Sequence, residues 1–237
     1  MRRGYRINKR RSQAILPVLH IPVLTILIIF LAFATAEAQR RDREAAQRAF
    51  DRGYQYQTGQ GIRRDLGRAL EAYREAILKD PNYADAYYNL AQVGFDIRRY
   101  DVAELGYKKY LQFYPNDAQA VHDLGVVYHK QGKEKYNDAA RQYRRALELK
   151  PDMAQAHYNL GNIYYALDRQ DMAVQEWDKA IQLDPNNETY INQRERITKI
   201  KQQQESALSP DTVWLIMYGL AGVFVVYYII YMVRKRR

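Results

Sequence analysis

The side chains of this 237-residue chain that could do chemistry are few. They comprise four histidines, three serines and a scatter of carboxylates. There is no cysteine, which removes disulfides, thiolate nucleophiles, cysteine-held metals and a lipid-modified N-terminal cysteine. The serines, Ser12, Ser206 and Ser209, all stand near the ends of the chain, so the central region has no serine nucleophile. His122 and His129 are seven residues apart on one predicted helix face, about 10 Å along the axis. A shared metal ion wants a spacing of three or four, so this pair reads as ordinary surface chemistry. His157 falls on a core-facing position. Asn187-Glu188-Thr189 fits a glycosylation sequon, a short pattern to which no function is assigned. The carboxylates show no metal-loop spacing and no glycine-rich phosphate loop follows a strand. The sequence therefore points away from an enzyme, a cofactor and a small-molecule substrate.

What positions these residues is a repeat. Three stretches, starting at Ala84, Ala118 and Ala154, align with a period near 34 residues. Each contains two helix-length segments. In the first segment a leucine, a small residue and an aromatic recur as Leu124, Gly125, Tyr128 and as Leu160, Gly161, Tyr164. The second segment gives Ala139, Tyr143, Ala146, Pro151 and then Ala173, Trp177, Ala180, Pro185. Small residues let antiparallel helices approach, aromatics fill the space between pairs, and proline ends the second helix. Each pair alone leaves an apolar face bare, so the units must stack.

These motifs resemble the tetratricopeptide repeat (TPR) family. The resemblance covers residues 84–117, 118–153 and 154–187, and a looser copy at 43–81, whose Ala69, Tyr73, Ala76 and Pro81 keep the ending. Its longer loop, Gly59-Gln60-Gly61-Ile62 then Asp65, resembles the Sel-like variant. Two departures stand out. The repeat at 84–117 has Gly94 where tyrosine is usual and Tyr110 where alanine is usual, and the repeat at 118–153 carries an insertion at 133–136. The polar segment 188–205, with Tyr190, Ile197 and Ile200 on one face, suits a capping helix, and 206–212 a linker.

The resemblance implies an all-α, right-handed α-solenoid of helix-turn-helix repeats whose ligands lie in a concave groove lined by the first helix of each repeat. By position that groove is lined by Asp85, Tyr88, Gln92 and Phe95, by Gln119, His122, Val126 and His129, and by Gln155, Tyr158, Asn162 and Tyr165. Repeats that clamp the paired carboxylates of chaperone tails need lysine, asparagine and arginine at fixed groove positions. The matching positions here hold neutral or acidic residues such as Tyr88, Gln92, Asp123, Gln155 and Asn159, so that subclass is not expected.

The ends of the chain carry the charge and the apolar runs. The formal net charge is +10, but Arg2, Arg3, Arg6, Lys9, Arg10 and Arg11 supply six of it and Arg234, Lys235, Arg236 and Arg237 the other four. A nucleic-acid binder needs its basic excess on the folded surface, so no nucleic-acid partner is expected. Residues 1–38 read as a signal peptide with a small-residue cleavage pattern, Ala36-Glu37-Ala38 before Gln39, or as an uncleaved signal anchor. Residues 213–233 carry no charge and read as a C-terminal transmembrane helix, with Trp214, Tyr218, Tyr227, Tyr228 and Tyr231 toward its ends and 234–237 as a basic cytoplasmic tail. The expected arrangement is a membrane protein with its repeats on the extracytoplasmic, periplasmic side.

The expected function is that of a non-catalytic, membrane-anchored scaffold that binds protein partners and assembles or stabilises a membrane or envelope complex. The alternative is a biogenesis factor that holds unfolded clients such as apocytochromes or secreted chains. A tail-anchored receptor with cytosolic repeats ranks below both, because it conflicts with the signal-like N-terminus.

Overall fold

The computed structural model describes residues 16–207 and 210–235, and every regular element among them is helical. The chain divides into two compact units that meet at Pro115 and Asn116. The first unit contains α1 (Leu16–Thr58), α2 (Leu66–Lys79), α3 (Ala84–Asp96) and α4 (Tyr100–Phe113). The second contains α5 (Ala118–Gln131), a 3-10 turn (Lys133–Lys135), α6 (Tyr136–Leu149), α7 (Ala154–Ala166), α8 (Gln170–Leu183), α9 (Glu188–Ala207) and α10 (Pro210–Lys235). In each unit the helices pack as consecutive hairpins: α1 on α2 and α3 on α4, then α5 on α6 and α7 on α8.

Proline sets the ends of the second helices. Asp80, Tyr114, Lys150 and Asp184 each precede a proline and close α2, α4, α6 and α8 with φ between −124° and −142°. The proline ring disfavours helical geometry in the residue before it, so these four chain positions leave the helix together. The turns inside the repeats differ according to sequence. Arg98 and Asp168 adopt φ of 61° and 59°, and the following amides, Arg99 and Arg169, close onto Gly94 and Tyr164 carbonyls at 2.7 and 2.8 Å. The insertion at 133–136 replaces that turn with Gly132 at φ 109° and the 3-10 segment. The longer first loop uses Gly59 and Gly61, both at positive φ, before Asp65 caps α2 by accepting from the Arg68 amide at 3.0 Å.

Small residues in the first helix seat the aromatic of the second. A Cβ added to Gly161 would stand 2.6 Å from Trp177 Nε1, one at Gly125 2.8 Å from the Tyr143 ring, and one at Gly53 2.7 Å from the Tyr73 ring. All three rings are fully buried. In α3–α4 the gap is shared differently: Ala91 takes the glycine's place and Gly106 on α4 supplies the space, with the Tyr87 carbonyl 2.7 Å from where its Cβ would be. The alanines Ala69, Ala76, Ala139, Ala146, Ala173 and Ala180, fully buried on the second helices, allow the same approach along the rest of each hairpin.

One expectation about the chain ends is corrected. Among the described residues no helix is long and apolar enough to cross a membrane. The C-terminal transmembrane helix expected at 213–233 is therefore not supported, although α10 is helical through that range. That expectation rested on the uncharged run, its length, the aromatics toward its ends and the basic residues after it. At the other end, α1 runs without a break from Leu16 into the first repeat, and its first fully buried side chain among those described is Ala46. The N-terminal basic cluster, Ser209 and the last two arginines lie outside the described residues.

The seating of the aromatics generates two predictions. Gly161→Ala pushes a methyl into Trp177 and the Ala173 carbonyl, 3.0 Å away, and should cost about 1–3 kcal/mol in urea unfolding. Tyr73 donates from its hydroxyl to Gln57 at 2.6 Å, whereas the buried Tyr143 hydroxyl has no hydrogen-bond partner among the described residues. Tyr73→Phe should thus lose about 1 kcal/mol, while Tyr143→Phe should be neutral or stabilising.

Candidate functional site

The face expected to bind partners is built by the first helix of each repeat, and each unit presents its own part. In the first unit, Asp85 lies exposed in the opening turn of α3, and Gln92 is half-buried about two turns further along the same face. Tyr88 is engaged by α4, with its ring 5.6 Å from Tyr107 and 5.0 Å from Tyr110. Tyr110, which departs from the small residue usual there, is thus the partner that fills the space beside Tyr88. Phe95 packs on Tyr100 at 5.8 Å. Aromatic pairs at these separations contribute about 0.5–1.5 kcal/mol beyond the area they bury, so part of this face is already used in holding α3 to α4.

In the second unit the face is a hydrogen-bonded row that crosses three helices. Asp117 caps α5 by accepting from the amides of Gln119 and Ala120 at 2.9 and 3.0 Å, which fixes the start of the helix. Gln119 then donates to Asp123 at 2.9 Å, and His122 Nδ1 meets the same carboxylate oxygen at 3.0 Å. On its other side His122 Nε2 stands 3.0 Å from Asn159 Nδ2 of α7. An amide nitrogen can only donate, so His122 accepts there and keeps its own proton on Nδ1 for Asp123. Asn159 accepts from Gln155 at 3.3 Å, and Gln155 accepts from the Tyr190 hydroxyl of α9 at 3.0 Å. The Tyr158 ring stacks on Tyr190 at 4.7 Å. Helix α9 thereby takes the place that the first helix of a further repeat would hold.

This row redistributes the residues expected to face a partner. His122 is 6% exposed, with its ring 5.5 Å from Tyr143, so it serves as an internal link. Tyr158 is half-covered by Tyr190. Asn162 accepts from Trp177 Nε1 at 3.2 Å and Tyr165 sits 6.0 Å from the same indole, so both also steady the hairpin. Gln119 and Gln155 remain exposed, and Val126, His129, Asn162 and Tyr165 remain half-exposed. Asn159, at a matching groove position, and Tyr190 of α9 are the linking residues across this face. Tyr190 was marked only as part of the apolar side of the capping segment. Among the described residues no group of histidine and carboxylate side chains could hold a metal ion, and His122 and His129 are not brought together.

His129 gives the surface a defined acid response. Burial, with a smaller contribution from Lys130, pushes its imidazole below the ordinary value of 6.5. The unfolded chain then binds this proton more tightly than the folded one, so the group's stabilising contribution is present above pH 6.5 and is lost as pH falls from there through the lower folded value. Unfolding followed from pH 7.5 to 5 should show a steeper loss for the wild type than for His129→Gln, whose side chain does not titrate.

The repeat architecture is shared with known proteins. Family models described as TPR repeat match residues 64–96 and 133–168, and one described as tetratricopeptide repeat matches 154–187. The unmatched stretch between them contains Tyr110. No curated protein matches the sequence. Among solved structures, MamA is 22% identical, with 65% of this chain and 87% of that one covered at a TM-score of 0.55. Residues 41 to the end of MamA from Desulfovibrio magneticus RS-1 are 22% identical over 62% of this chain and 80% of that one, again at 0.55. YrrB, a TPR protein with an unusual peptide-binding site, is 21% identical over 76% of this chain and 91% of its own, at 0.59. At such identities the likeness is one of fold. The hairpins that build the candidate surface include tetratricopeptide repeats.

Proposed function

We propose that this protein is a non-catalytic scaffold that binds extended segments of protein partners along the α5–α7 side of its second unit. The observation that carries the reading is the register of that side. Val126 and His129 on α5 and Asn162 and Tyr165 on α7 stay half-exposed at equivalent places, while the polar row from Gln119 to Tyr190 holds the two helices and α9 in fixed order. Rigid amphipathic side chains presented at a fixed spacing give contact area at low entropic cost. The peptide-binding site named for YrrB supports the same use of a shared fold. Residues 12–233 hold equal numbers of basic and acidic side chains, so long-range steering is weak and binding should tolerate salt.

The reading includes a place of action beyond the cytoplasm, in an envelope complex, reached after cleavage before Gln39. Its support is that buried packing of α1 begins only at Ala46, so removing the preceding residues leaves the first hairpin whole. N-terminal sequencing of the purified protein should return Gln39, and Met1 would contradict this part of the reading.

The surface itself is tested with a partner recovered by co-purification and then titrated as a purified segment. Val126→Ala combined with Tyr165→Ala leaves the polar row intact and should weaken binding by about 2–4 kcal/mol. Met172→Ala, at an exposed position of α8, should leave it unchanged. Equal affinities for wild type and the double variant, with helical content preserved, would move the binding surface elsewhere.

A further inference from the structure

His157 lies on α7 facing away from the candidate binding row, and its surroundings make an unusual demand. The side chain is 9% exposed. Its Nδ1 stands 2.6 Å from Glu176 Oε2 of α8, and its Nε2 stands 3.1 Å from the carbonyl oxygen of Pro151, in the turn between α6 and α7. Both partners are oxygen acceptors. A neutral imidazole carries one N–H, so either neutral tautomer would aim a lone pair at one of these oxygens. Two protons satisfy the site, one on each nitrogen, unless the carboxylate brings one of them. Glu176 is not that source: burial works to raise its proton affinity, but hydrogen bonds from His157 and Lys179 outweigh burial and hold it below the ordinary range. Lys179 donates to Glu176 Oε1 at 2.9 Å.

We propose that His157, Glu176 and the Pro151 carbonyl form a protonation-dependent latch that ties the α6–α7 turn and α7 to α8. In the closed latch the imidazolium donates twice. Losing one proton leaves a single N–H, which the carboxylate retains because an ionised acceptor binds it more strongly than a carbonyl. The bond to Pro151 then becomes a contact between a lone pair and an oxygen, and the turn that starts α7 is released from α8. The latch therefore holds at lower pH and opens as pH rises. It borders an open cleft of about 270 Å³, so water and protons reach it without unfolding.

The other charged groups around the latch are balanced. From α6, Arg144 and Glu148 line the cleft, and from α8 Lys179 and Glu176 do; Tyr164 is the further titratable group from α7. The remaining neighbours meet α7 elsewhere: His122 of α5, bonded to Asp123, contacts Asn159, and Tyr190 of α9 contacts Gln155. The latch thus sits on one side of α7 and the binding row on the other, and α7 is the element through which the two could influence each other. The proposal itself does not depend on partner binding.

The test uses the full chain labelled with ¹⁵N, in which the four histidines can be separated by substitution. Two-bond ¹⁵N–¹H spectra at pH 6.5 should show protons on both nitrogens of His157 and a single proton, on Nδ1, for His122. Wild type and His157→Gln should then be compared by urea unfolding from pH 6 to 9. The wild-type advantage in the unfolding equilibrium constant should shrink across that range as the second bonding proton is lost. Glu176→Gln supplies a second variant should His157→Gln fold poorly, and its His157 should show the single-proton signature at a lower pH than wild type does. A singly protonated His157 at pH 6.5, a wild-type advantage that does not change with pH, or an unchanged His157 signature in Glu176→Gln would each overturn the latch.

Discussion

The closest constraint in the molecule is the seat that a small residue on the first helix of a hairpin makes for an aromatic ring on the second. Where Gly161 meets Trp177, Gly125 meets Tyr143 and Gly53 meets Tyr73, no Cβ fits without displacing the ring or the backbone behind it. Helix separation is then set by ring thickness, and the buried alanines of the second helix continue that spacing along the hairpin. Much else follows from the seat. With Trp177 fixed, its indole N–H reaches Asn162, and Tyr165 rests against its edge, so two residues of the exposed face are ordered by the core beneath them. The α3–α4 hairpin satisfies the same constraint from the opposite side, through Gly106, and leaves room for Tyr110 to engage Tyr88.

The second unit connects its hairpins by polar bonds as well as by packing. Each bond of the row from Gln119 through His122, Asn159 and Gln155 to Tyr190 is modest, about 0.5–1.5 kcal/mol net, but the row is directional. Asn159 can satisfy His122 with its nitrogen and Gln155 with its oxygen in one amide orientation only, so the register of α5 against α7 is specified and not merely permitted. His157 makes the complementary connection behind α7. Two buried histidines in neighbouring repeats thus carry opposite proton requirements, one accepting at Nε2 and one donating from both nitrogens, and the difference comes from whether the facing group is an amide nitrogen or a carbonyl oxygen.

Much of the architecture was legible because it rests on local signals that recur. Pro81, Pro115, Pro151 and Pro185 mark four helix ends, and the small-to-aromatic spacing marks each hairpin. The resemblance implied a face lined by Gln155, Tyr158, Asn162 and Tyr165, but it carried no sign of the burial of His122. That burial depends on Asn159 from the next repeat, and a position along one helix does not report what the neighbouring helix lays over it.

The central claim is that partners meet the chain on the α5–α7 side of the second unit. Hydrogen–deuterium exchange of the full chain, with and without a captured partner segment, tests it most directly because it requires no substitution. The account predicts slowed exchange in α5 and α7, with α6 and α8 unchanged. Slowed exchange confined to α6 and α8, or to the first unit, would contradict it.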